Sequence, residues 1–70
     1  MATVARQISE LDVVALLEPV GRWPKGQTGT VVQEQGSVKL IEIADGQGQM
    51  LDLIGASEDR LQLVWQFGER

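Results

Sequence analysis

The side chains best suited to acid–base chemistry are four carboxylates in the second half of the chain, Asp45, Asp52, Glu58 and Asp59. A pair of carboxylates in unlike environments can serve as general acid and base. Regularly spaced ones can hold a hard cation, but Asp45-Gly46-Gln47-Gly48 lacks the alternating oxygens and final Glu of a calcium loop. Glu58-Asp59 follows Ser57 and reads as the acidic first turn of a short helix, where the helix dipole favours negative charge. Ser9, Ser37 and Ser57 are candidate nucleophiles only by type. The chain has no His and no Cys, so a Ser–His pair or a thiolate–zinc site cannot form within it. No Gly-rich run precedes a helix in the manner of a phosphate-binding loop. The expectation is a protein with no catalytic residues, no cofactor and no metal.

The elements that would position any other site must come from a short chain. Seventy residues make one domain, and a domain of that size buries only about 60% of its unfolded surface. Without disulfides or metal, its stability rests on core packing and oligomerisation. Ten acidic residues against six basic ones give a net charge of −4. The six bases, Arg6, Arg22, Lys25, Lys39, Arg60 and Arg70, are scattered, whereas phosphate binding needs them clustered. No apolar run approaches the roughly 20 residues of a membrane span. Met1–Gln7 lacks the apolar core of a signal peptide. The expected location is the cytoplasm.

Read in order, residues 1–8 form a flexible arm. Ser9-Glu10-Leu11-Asp12 could open a helical turn, with Ser9 as cap. Asp12–Glu18 is a short apolar run closed by Pro19 and predicts a first strand; a helix over Ser9–Leu17 is the alternative. Pro19–Gln27 holds both prolines, two glycines and Trp23, and is the longest loop. Its end, Pro24-Lys25-Gly26, is turn chemistry with Gly26 free to take positive φ. Thr28–Gln35 and Val38–Ala44 are β-branched runs joined by Gly36-Ser37, a tight hairpin. Both faces of Val38–Ala44 carry apolar residues, so its inward face stays open. Asp45-Gly46 marks a second hairpin, and Gln49–Ile54 a fourth strand with Asp52 outward or at an edge. Gly55–Arg60 allows one helical turn, capped at Ser57 or a neighbour. Leu61–Phe67 is the fifth strand, with Leu61, Leu63 and Trp65 of one parity, the core side. Residues 68–70 are a tail.

Five short strands, an early long loop, two tight hairpins and one helical turn before the last strand are the order of a small SH3-like barrel, spanning residues 9–67. An OB-like barrel is the alternative. Within this order, Gly26 serves the turn, Gly29 lets the second strand bend so that the barrel can close, and Gly46 serves the second hairpin.

The segments Glu10-Leu11-Asp12-Val13-Val14-Ala15-Leu16, Gly26-Gln27-Thr28-Gly29-Thr30-Val31-Val32, Ile41-Glu42-Ile43-Ala44-Asp45 with Gly48, and Arg60-Leu61 resemble a small bacterial family, the domain of unknown function 4926. The resemblance implies a compact β-barrel and brings no activity and no catalytic residue with it. Trp23-Pro24 departs from the apolar residue common at that place. Gly26–Val31 is also similar to the Gly-x-x-Gly-x-Val core of KOW-type barrels, which bind RNA or ribosomal and transcription factors.

Two readings of function follow. In the first, the chain is a non-catalytic binding or accessory module that acts through a protein partner or as a homo-oligomer. It could be the small member of a two-gene operon, and Arg22, Trp23, Lys25 and Phe67 are its contact residues, since aromatics and Arg concentrate at interaction hot spots. In the second, Arg22 and Lys25 flank a base stacked on Trp23, making a KOW-like RNA- or ribosome-associated module. The acidic balance weighs against the second. Proline-rich ligands need a groove of several aromatics, and two Trp, one Phe and no Tyr do not supply one.

Overall fold

Two glycine-led hairpins and the β-branched runs between them lay down a meander, and a single helical turn folds the last strand back onto the first. The structure is a computed structural model and describes residues 8–68. The arm expected for Met1–Gln7 and the tail residues 69–70 lie outside the described residues. The strands are β1 (Val13–Leu16), β2 (Thr28–Gln35), β3 (Val38–Ala44), β4 (Met50–Ser57) and β5 (Leu61–Trp65), with a 3₁₀ turn at Glu58–Arg60 before β5. They form one antiparallel sheet in the order β4-β3-β2-β1-β5. The fold is all-β, an SH3-like barrel of five strands. None of the described residues forms a helix long and apolar enough to cross a membrane.

The turns explain the register. Gln35 pairs with Val38 across Gly36-Ser37, and Gly36 has φ 64°, the glycine-first geometry whose twist matches the flanking strands. At the second hairpin Asp45 Oδ1 accepts the N–H groups of Gln47 and Gln49, both at 2.9 Å. Positive φ falls on Gly48 (84°) rather than on Gly46, so the glycine this turn requires is Gly48. Gly26 behaves as expected, with φ 91° and the Gln27 N–H donating to Pro24 O at 3.1 Å.

Gly29 faces inward, opposite Val14. A Cβ there would lie 2.5 Å from Ile41 Cγ2 and 2.8 Å from Glu42 O. The strand needs this glycine because β3 crosses β2 too closely for any side chain.

The core consists of Ile8, Val14, Leu16, Val31, Ile41, Ile43, Ala56 and Leu61. Each large member contributes about 1.5–3 kcal/mol by leaving water. Ile8, assigned above to the arm, belongs to this core. β3 turns Lys39, Ile41 and Ile43 inward, which settles its open face. The buried Lys39 ammonium sits at the end of this row, 3.0 Å from Glu34 Oε1 and 3.3 Å from Gly36 O. Its charge is compensated by a carboxylate and a carbonyl, as a buried charge requires.

Several boundaries differ from expectation. β1 is four residues, shorter than Asp12–Glu18, because Leu17 N–H turns to Arg60 O and Gly26 N–H takes Leu16 O. β4 runs on to Ser57, as β3 offers it partners up to Val38. Ser9–Asp12 is not a helical turn: Leu11 has φ 74°, and Asp12, not Ser9, supplies the capping side chain, accepting the Ser9 N–H at 2.9 Å. The 3₁₀ turn follows Ser57, whose hydroxyl donates to Asp59 Oδ1 at 2.6 Å instead of capping the backbone.

Candidate functional site

The early loop, carrying Arg22, Trp23 and Lys25, doubles back on itself. Val20 and Trp23 exchange backbone hydrogen bonds of 2.9 Å around Gly21-Arg22. This aims the Trp23 indole N–H at Asp52 Oδ2, 2.7 Å away on β4. The Arg22 guanidinium lies 4.8 Å over the Trp23 ring and 3.8 Å from Asp52 Oδ2. Asp52 Oδ1 accepts the Leu53 N–H at 2.8 Å. The indole, the Leu53 N–H and the Arg22 charge together hold the Asp52 carboxyl below its ordinary pKa, against the opposing effect of burial. The three side chains form a latch that pins the loop to the edge strand β4.

The latch changes what Trp23 can do. It is half-buried and packs against the core, with its polar edge satisfied and one face covered by Arg22. Lys25 is exposed at the far side of the Pro24–Gln27 turn and belongs to no ion pair among the described residues. The other described bases are each paired: Arg22 with Asp52, Lys39 with Glu34, Arg60 with Glu18.

The carboxylates singled out in the sequence are not brought together. Asp45 closes a turn, Asp52 closes the latch, Asp59 receives Ser57, and Glu58 Oε2 accepts the Ile8 N–H at 2.9 Å. Each has a structural partner of its own, within its turn for Asp45 and Asp59 and across the fold for Asp52 and Glu58.

What the structure does bring together is an aromatic pair at the end of β5. Trp65 was expected in the core with Leu61 and Leu63; it is instead 54% exposed. The reason is a β-bulge. Val13 pairs with Trp65 while the next residue, Val14, pairs with Leu63, so Val64 is an extra residue. One inserted residue reverses the inside–outside alternation beyond it. Phe67, 50% exposed, meets Trp65 edge to face with ring centroids 6.0 Å apart. Of the four contact residues expected from the sequence, Arg22 and Trp23 stay together in the latch. Phe67 is placed with Trp65, on the opposite end of the sheet order from β4.

The register extends this pair across the outer surface. Trp65, Val13, Thr30, Glu42 and Leu53 fall in one row, one from each strand. Outward positions on β3 and β4 hold Val38, Leu40, Leu53 and Gly55, where a solvated sheet face ordinarily carries polar side chains. Among the known proteins compared, no family model, no curated protein and no solved structure matches this chain.

Proposed function

We propose that the chain is a non-catalytic binding module of the cytoplasm that acts through a protein partner, with Trp65 and Phe67 as its anchor. The observation that supports this reading is the edge-to-face pairing of these two exposed aromatics at and just beyond the end of β5. Aromatics at interface centres supply large contact area at little entropic cost, and they recur as hot spots. In this reading the chain is the small member of a two-gene operon and the partner is the product of the other gene. The individual structural duties of the four carboxylates, and the lack of His and Cys, support the non-catalytic part of the reading.

The test is co-purification from the native cell, comparing the wild-type chain with a Trp65→Ser/Phe67→Ser variant that retains its circular dichroism spectrum. A stoichiometric protein held by the first and lost by the second is expected. The same set of proteins on both would overturn the aromatic anchor. The KOW-like RNA reading rests on Trp23 as a stacking platform, and the Arg22 cover and the Asp52 bond leave less of that ring available. Measurable RNA binding at low salt, abolished by Arg22→Glu/Lys25→Glu, would restore it.

A further inference from the structure

Carboxylates hold the chain where it enters the barrel. The N–H groups of three successive residues each donate to an acid: Ile8 to Glu58 Oε2 at 2.9 Å, Ser9 to Asp12 Oδ2 at 2.9 Å and Glu10 to Glu34 Oε2 at 3.2 Å. These residues precede β1 and lie outside every strand, so side chains secure them in place of a ladder. Among residues 8–11, Ile8 alone is buried. Leu11, which joins them to Asp12, is exposed. Among the described residues it is also the one non-glycine with positive φ, 74°. A leucine is strained there, and such strain gathers at switch regions.

We infer that residues 8–11 are a strap that hinges open at Leu11 while the barrel stays folded, and that its opening releases Phe67. Glu58 and Glu34 are not buried, so water can replace the N–H group on each. Glu34 keeps the Lys39 ammonium on its other oxygen, 3.0 Å away, so an open strap leaves that buried charge compensated. Burial of Ile8 opposes opening, and relief of strain at Leu11 favours it. Asp12 carries the coupling. It is fully buried, and its two oxygens accept the Ser9 and Phe67 N–H groups. Donors offset the cost of burying a carboxylate. When Ser9 leaves, part of that offset leaves with it, and the hold on Phe67 weakens. Trp65 keeps its place, since β1 pairs with it at Val13.

A closed strap with Phe67 fixed is thus one state, and an open strap with Phe67 released is the other. The consequence for binding rests on the aromatic anchor proposed above. A partner that needs both rings in place closes the strap, and a closed strap strengthens that partner's binding by the same factor. The opening itself belongs to the chain alone and is tested without a partner.

Amide hydrogen exchange of the full chain, followed residue by residue in increasing urea, is the test. In the wild type, Ser9, Glu10 and Phe67 are expected to exchange faster than Ile41 and Ile43 on the interior strand β3. Low urea should leave the first three rates unchanged and raise the other two, since a local opening exposes little surface. Glu58→Ala removes a bond that involves none of the three amides read. It should speed all three by one common factor of about five, the weight of one ordinary hydrogen bond. Leu11→Asn, a residue better suited to positive φ, should slow the same three together, and it serves if Glu58→Ala does not fold. Exchange at Ser9 and Glu10 that follows urea as steeply as Ile41 and Ile43 overturns the strap. A Phe67 rate that stays constant while Ser9 and Glu10 change overturns the coupling. Neither result depends on co-purification, and a missing partner leaves both measurements as they are.

Discussion

The Phe67 N–H donates to Asp12 Oδ1 at 2.8 Å, joining residues 55 positions apart in the chain. Asp12 is fully buried, and its other oxygen holds the Ser9 N–H. Its backbone is engaged as well, with the Val31 N–H donating to Asp12 O and the Asp12 N–H to Ser9 O. One carboxylate thus fixes the start of the barrel and the end of β5 together, and so sets where the aromatic pair stands.

Replacing Asp12 with Asn leaves one acceptor oxygen for two N–H groups. A buried N–H without its acceptor costs about 1–3 kcal/mol. Asp12→Asn should lower the urea midpoint accordingly and speed hydrogen exchange at the Phe67 amide. A variant with wild-type stability and exchange would show that the carboxylate is not the clamp.

Gly29 offers a sharper contrast. Gly29→Ala places a Cβ against Ile41 and the Glu42 carbonyl and should destabilise by about 1–3 kcal/mol through strain on the β2–β3 crossing. Gly46→Ala meets nothing within 4 Å and needs no positive φ, so it should be tolerated. Gly48→Ala has room but sits at φ 84° and should cost about 1 kcal/mol. Thermal melting of the three variants checks the order.

Lys39 and Glu34 should respond asymmetrically. Only the ammonium of this pair is buried, while the Glu34 carboxylate is exposed; an apolar residue of similar volume in place of Lys39 therefore leaves no charge buried, whereas removing Glu34 strands a buried one. Lys39→Met should stay within about 1 kcal/mol of wild type, and Glu34→Ala should lose about 2 kcal/mol by leaving the ammonium with weaker compensation. Equal losses in chemical denaturation would contradict this account.

The Asp52 latch makes stability depend on pH in a defined direction. Its folded pKa is depressed from 3.8, so its contribution is fully present above the unfolded value and is lost as pH falls through the folded one. Acid titration of stability should therefore show a decline below pH ~4 that Asp52→Asn makes shallower. Trp23 fluorescence should change over the same range in the wild type and remain flat in the variant. A wild-type and a variant curve that run parallel would remove Asp52 from the acid response.

The sequence alone determined those features that rest on local chemistry. Thr28–Gln35 and Val38–Ala44 are strands because β-branched residues run between turn residues. The Gly26 and Gly36 turns, the 3₁₀ turn after Ser57 and the constraint at Gly29 follow from what glycine and short polar residues do to a backbone. Their order specified the barrel. The tertiary structure alone decided which side chains face water and which act together. Nothing local marks the bulge at Val64, which arises from how β5 meets β1, yet it takes Trp65 out of the core and puts it beside Phe67. Asp12 between apolar residues reads equally as a turn cap or a surface charge until Phe67 arrives from the other end of the chain. Arg22, Trp23 and Asp52 become one unit only when the early loop folds onto β4. In each case the deciding contact joins residues far apart in sequence, and spacing along the chain carries no information about it.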